Sequence, residues 1–251
     1  FPVLFVPGWG ASPRPYKDGL KIHFEAGRRV ISVSFPPKVI ELQMDGSPSA
    51  LATKVLAILA VLEEKKIKKV DGIGYSEGCI ILQFAAKKDG SRFRNFVFEA
   101  PPGLNGKESY IKILKMELLN LLQLFIRILF ITPEEKERTE YKKMDVKKWI
   151  KGAGIIKSML DGVIPGRMEV YNLVNELSNS KENHHIGFMG AEDDYMINFK
   201  KLTENADNLK VSQFYHIGGG HQTFEIKAVD CARLAENILN NLENQYNKVH
   251  V

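Results

Sequence analysis

The sequence predicts an α/β protein with a mostly parallel central sheet, helices on both faces and an inserted all-helical cap. Short apolar runs suited to buried strands alternate with helical segments, which implies right-handed crossovers and parallel pairing. One such unit, Val70 to Ile81, passes from an apolar strand through a glycine-flanked serine into a helix beginning at about Glu77. Residues 104 to about 180 then break the rhythm, with helical signals and no strand. The core is therefore assigned to residues 1–103 and 181–251, and the cap to 104–180.

Taken in order, Phe1 to Val6 is a continuous apolar run, as expected for a strand buried on both faces, and Pro7-Gly8-Trp9-Gly10 closes it as a loop. Arg29 to Phe35 is a second strand, stopped by Pro36-Pro37. Ser47-Pro48 opens a helix whose face is Leu51, Val55, Ile58, Leu59 and Leu62. The serine-bearing strand and helix follow, and Phe96-Val97-Phe98 is the next buried strand, ending at Glu99 to Gly103.

Within the cap, Tyr110 to Ile131 is dense in Leu, Ile and Phe. Lys112, Lys115, Glu117, Asn120, Gln123 and Arg127 give it a narrow polar stripe, and the charges among them argue against a membrane-spanning helix. Thr132-Pro133 caps a second helix, Asp145 to Leu160 supplies a third, Ile164-Pro165-Gly166 is a break, and Met168 to Leu177 is a fourth. Strands then return at Ile186 to Gly190 and Val211 to Tyr215, separated by a helix around Ile197 to Glu204. A terminal helix runs to about Asn244.

At 251 residues, 44% hydrophobic and 26% charged, the chain has the composition of one globular domain with an insertion. The net charge of +5 comes from small lysine clusters rather than an arginine-rich stripe with aromatics, so nucleic acid is not an expected partner. Cys79 and Cys231 are too few for a disulfide framework and read as buried thiols. No secretory pattern is present, which points to the cytoplasm. The chain starts at Phe1 rather than Met, as expected of a trimmed N-terminus.

Gly74-Tyr75-Ser76-Glu77-Gly78 is the pattern of a serine held on a strained strand-to-helix turn, a nucleophile elbow. Such a serine needs an imidazole to take its proton and a carboxylate to hold the imidazole. Loops at strand ends offer Ser76, Asp193 and His221 in that order, with Asp194 as the alternative acid and His216 as the alternative base. The Glu77 side chain is expected to point away from the pocket. His184-His185 lacks a third ligand at metal spacing and reads as a surface pair.

Together these motifs resemble an α/β-hydrolase-fold serine hydrolase, of the esterase and lipase type with a helical cap, over nearly the whole chain. The elbow, the Gly190-Ala191-Glu192-Asp193 turn and the Gly220-His221 step all match, and Pro7-Gly8-Trp9-Gly10 matches the oxyanion loop. Two departures stand out. Proline replaces the usual histidine of that loop, and the family's leading hairpin is missing. The resemblance implies a Ser76–His221–Asp193 triad, an oxyanion hole from the Trp9 and Glu77 backbone amides, and no metal or organic cofactor. Tyr75, Leu118, Leu121, Leu122 and Phe125 are the expected pocket lining. A small apolar ester, acyl or aromatic, is the expected substrate, with thioesters and lactones open to the same residues.

The Gly8-Trp9-Gly10 loop also resembles that of pimeloyl-carrier methyl esterases. This implies an acidic acyl-carrier protein as partner, docking on Lys142, Lys143, Lys147, Lys148 and Lys151. A non-hydrolytic small-ligand receptor on the same fold is the alternative of another class. Membrane insertion is not expected, and the oligomeric state is not given by the sequence.

Overall fold

The computed structural model describes residues 1–35, 49–104, 109–116, 118–119, 163–182, 184–209 and 211–249. Six strands form a single parallel sheet: β1 (Val3–Val6), β2 (Val30–Ser32), β3 (Val70–Tyr75), β4 (Phe93–Glu99), β5 (His185–Ala191) and β6 (Gln213–Ile217). Their spatial order is β2-β1-β3-β4-β5-β6. The chain steps outward from β1 to β2, returns to the other side of β1 at β3, and then proceeds in one direction. The reversal falls between β1 and β3, and open parallel sheets place their ligands beyond the carboxyl ends of strands at such a point.

The longer helices among the described residues are α1 (Lys17–Glu25), α2 (Ser49–Glu64), α3 (Glu77–Lys88), α4 (Ile164–Ser178), α5 (Phe199–Asn208) and α6 (Ala228–Val249). One layer contains α2, α3 and α4, which pack on one another, with α3 against β3. On the other side α1 packs on α6, and α6 lies over β4 and β5. Val3 to Val6 and every residue of β3 and β4 are buried, and β1 together with the Phe96-Val97-Phe98 centre of β4 reads as an apolar run for that reason. Edge strand β6 is only partly buried and begins two residues later than expected.

Helix α1 escaped the sequence reading for a physical reason. Its two buried residues are Gly19 and His23, so it carries no apolar stripe. A Cβ at Gly19 would stand 2.5 Å from the Ala228 carbonyl oxygen, which means α1 and α6 approach backbone to backbone there.

The assigned boundary at residue 180 also needs correction. Ile164-Pro165-Gly166 is no break: Pro165 occupies the first turn of α4, where its missing N–H costs nothing. Helix α4 then contributes Val170, Leu173, Val174 and Leu177 to the main core, so this part of the expected cap is packed in the layer of α2 and α3. Residues 110–116 are helical, as expected. The other cap helices, Ser47-Pro48 and the basic set from Lys142 to Lys151 lie outside the described residues. Among the described residues no helix is long and apolar enough to cross a membrane.

At the amino end of the strands, opposite the elbow, lies a buried ionic network. Asp71, fully buried at the start of β3, accepts from Arg94 Nε at 2.8 Å and from Arg28 at 3.4 Å. Arg28 also donates to Glu236 at 2.7 Å and Glu243 at 3.1 Å, both on α6, while His23 pairs with Glu236 at 2.7 Å. The network ties α1, the sheet and α6 together.

Candidate active site

Ser76 leaves β3 with φ 51° and ψ −119°, a conformation that costs an ordinary residue about 1–3 kcal/mol and persists only where its surroundings impose it. Here the neighbouring backbone imposes it. A Cβ at Gly78 would come within 2.0 Å of the Val6 carbonyl oxygen, and one at Gly74 within 2.7 Å of the Cys79 nitrogen. Both glycines of the motif are therefore required by close approach, the first to let α3 fold back over β3 and the second to let α3 pass β1. The Ser76 N–H donates to the Glu99 carbonyl at 2.9 Å, which anchors the turn to β4.

The Ser76 hydroxyl lies 3.0 Å from His221 Nε2, and His221 Nδ1 lies 2.7 Å from Asp194 Oδ2. His221 and Asp194 are buried at 4% and 7% exposure. The other Asp194 oxygen, Oδ1, accepts from the backbone N–H groups of Met196 at 2.8 Å and Ile197 at 3.1 Å, so the carboxylate is fixed at both ends.

Asp194 thus holds the position expected of Asp193. Strand β5 continues through Ala191, and the turn begins there, with the Asp194 N–H donating to the Ala191 carbonyl at 3.3 Å. Counted from the end of the strand, the third residue is Asp194, which turns inward, while Asp193 is exposed to solvent. The alternative base His216 is also excluded by position: its side chain is 65% exposed and faces Glu192 at 3.6 Å.

Tyr75 is not a pocket wall. At 2% exposure it supports the histidine loop from beneath, donating from its hydroxyl to the His221 carbonyl at 3.0 Å and packing its ring 5.5 Å from the imidazole. Phe224 and Tyr16 flank it at 5.7 and 5.9 Å. Burial raises the Tyr75 hydroxyl well above its ordinary pKa, so it remains a donor. Leu118 is 52% exposed, while Leu121, Leu122 and Phe125 fall outside the described residues.

The loop after β1 runs directly against the elbow. A Cβ on Gly8 would meet the Tyr75 ring at 3.1 Å and the Ser76 Cβ at 3.3 Å, so Trp9 follows a residue in contact with the serine. Trp9 and Leu114 pack on the buried pair Ile113 and Ile164, forming a small apolar cluster beside that loop. Glu77, at the first position of α3, has a backbone N–H with no acceptor inside the helix. Its side chain leads into the protein and meets Lys54 of α2, a pairing that separation in sequence conceals.

Beneath the elbow, Glu99 ends β4 with its carboxyl buried, and burial pushes it up to about 8. Cys79 is also buried and its thiol is raised well above the ordinary range by burial, which makes it inert as a nucleophile. His184, expected at the surface, is instead buried with its ring edge on Phe96, and burial lowers its pKa. Among the described residues no three His, Cys, Asp or Glu side chains are grouped to hold a metal ion.

The fold recurs in many solved structures. MenH from S. aureus is 15% identical, with a TM-score of 0.67 over 96% of this chain and 94% of that one. A structure from work on carboxylesterases of the thaumarchaeon Nitrososphaera gargenis is 14% identical, with a TM-score of 0.63 over 98% and 92%. The thioesterase domain from the curacin biosynthetic pathway is 14% identical, with a TM-score of 0.61 over 92% and 89%. No family model and no curated protein matches the sequence. The chain has the α/β-hydrolase fold, a six-stranded parallel sheet clothed in helices with the serine, acid and histidine loops at its carboxyl edge.

Proposed function

We propose that the protein is a serine-dependent carboxylic-ester hydrolase acting on apolar acyl or aromatic esters. The observation that carries this reading is the unbroken hydrogen-bonded chain Ser76–His221–Asp194 mounted on a strained turn. In this mechanism Ser76 Oγ attacks the acyl carbonyl as its proton passes to His221 Nε2. Asp194 keeps the proton on Nδ1 and stabilises the imidazolium that forms. The Trp9 and Glu77 backbone N–H groups receive the oxyanion. Collapse of the tetrahedral intermediate breaks the bond to the alcohol, which leaves with the proton from His221. Water, deprotonated by the same imidazole, then releases the acid and restores Ser76.

The apolar preference rests on the cluster of Trp9, Ile113, Leu114 and Ile164 beside the oxyanion loop. Fold alone does not choose between esters, thioesters and lactones, since all three pass through an oxyanion next to an activated serine. Hydrolysis of p-nitrophenyl esters from acetate to palmitate tests the reading. The native chain is expected to turn over steadily with an optimum at one chain length, and Ser76→Ala to lose at least a thousandfold in kcat. Equal rates in the two proteins overturn it. A slow single turnover that leaves a stable adduct marks the ligand receptor instead.

A further inference from the structure

One buried ion pair touches the residue next to the nucleophile. Lys54 Nζ lies 2.6 Å from Glu77 Oε1 and 2.7 Å from Oε2, and 5.6 Å from the centroid of the Phe35 ring. Glu77 is 3% exposed and Lys54 9%. A buried pair contributes little net stability compared with neutral residues of the same shape. Its location is what distinguishes this one: Glu77 follows Ser76 directly, and its backbone N–H is the donor assigned to the reacting oxygen. A bare carboxylate on that residue would oppose the negative charge that develops on the substrate, and in a water-poor site the repulsion is weakly screened.

We propose that Lys54 is a positioning residue, which clamps the Glu77 carboxylate and cancels its charge so that the Glu77 N–H meets the oxyanion in a neutral setting. The proposal rests on the serine-hydrolase reading. It treats the lysine as acting through Glu77, without contact to substrate, so its signature is a loss in kcat that removal of the glutamate charge repairs.

The test compares native protein, Lys54→Met and Lys54→Met/Glu77→Gln with the best p-nitrophenyl ester, separating kcat from KM, with circular dichroism confirming the fold. With all three proteins assayed at about pH 9.5, above the range in which an unpaired buried carboxyl keeps its proton, kcat of Lys54→Met should fall roughly thirtyfold, as for two like charges about 8 Å apart at an effective dielectric of about 20. That factor corresponds to about 2 kcal/mol. KM should move less than threefold, and the double variant should recover at least tenfold in kcat. A pair that serves only stability gives no such recovery. Should Lys54→Met not fold, Lys54→Gln, which keeps a donor toward Glu77, replaces it with the same criteria. The role of Lys54 is overturned by a folded variant within threefold of native kcat, or by a double variant no faster than the single one. A native chain that neither hydrolyses esters nor is labelled at Ser76 by an alkyl fluorophosphonate overturns the hydrolase reading itself, and the role of Lys54 with it.

Discussion

Replacing Glu99 with glutamine keeps the shape of a buried side chain and removes a carboxyl that burial has pushed from 4.5 up to about 8. Between those two values the native protein retains a proton that the unfolded chain has released. Stability therefore declines as pH rises through this window, by about 1.4 kcal/mol per pH unit, and levels off above about 8. By pH 7 the accumulated loss is about 3 kcal/mol, a large share of the stability of an ordinary domain. Glutamine titrates in neither state. The stability of Glu99→Gln minus that of the native chain should accordingly grow by about 3 kcal/mol between pH 4 and pH 7, on top of any constant offset.

Other carboxylates cancel in this difference. Burial acts to raise Glu236 and Glu243, but hydrogen bonds from His23, Arg28 and Arg94 outweigh it and hold both below the usual value. Their stabilisation is present above the ordinary carboxylate range and fades toward acid in both proteins alike. Urea unfolding at half-unit steps from pH 4 to 8.5 measures the difference directly, with the m-value checked for constancy. Two curves that stay parallel to within about 1 kcal/mol would refute the assignment of Glu99 as a neutral interior acid.

Two further substitutions follow from the geometry. Asp194→Asn should lower kcat by about 10⁴ on the best ester while Asp193→Asn stays within twofold, and steady-state kinetics in which Asp193→Asn is the crippled variant would reinstate the acid expected from sequence. Asp71→Asn removes the fully buried one of the two carboxylates, Asp71 and Glu243, that Arg28 and Arg94 share, and should cost about 3 kcal/mol. A thermal scan is expected to show a drop of about 10 °C, with ester turnover of the folded protein at 20 °C preserved because the network sits at the far end of the sheet.

The central strands β1, β3, β4 and β5 were legible because they are buried on both faces, while the half-buried edges were placed less well: β2 is shorter than expected and β6 begins two residues later. The elbow was legible because close backbone approach admits glycine and little else at positions 74 and 78. What escaped is of a different kind. The choice between Asp193 and Asp194 depends on where β5 ends, a matter of one residue in a turn whose two acids are chemically identical. Helix α1 hides its buried face behind Gly19 and His23. Tyr75 looked like a wall because it adjoins the serine, yet strand alternation turns it inward beneath His221. The Lys54–Glu77 contact joins two helices and leaves no periodic trace in either.

The ionic network at the amino end of the sheet also bears on how the chain comes into being. Arg28 draws its partners Glu236 and Glu243 from 208 and 215 residues further along. On a ribosome working from the amino terminus, the first half of the sheet emerges with Arg28, Asp71 and Arg94 already committed to the interior. The carboxylates that complete their shell belong to α6, which is made much later. Early strands have strong reason to associate through their apolar residues, but the charges at their amino ends are balanced only when α6 arrives. Completion of this network is thereby reserved for a chain that includes α6, and a nascent piece ending before residue 236 leaves Arg28 without its Glu236 and Glu243 partners.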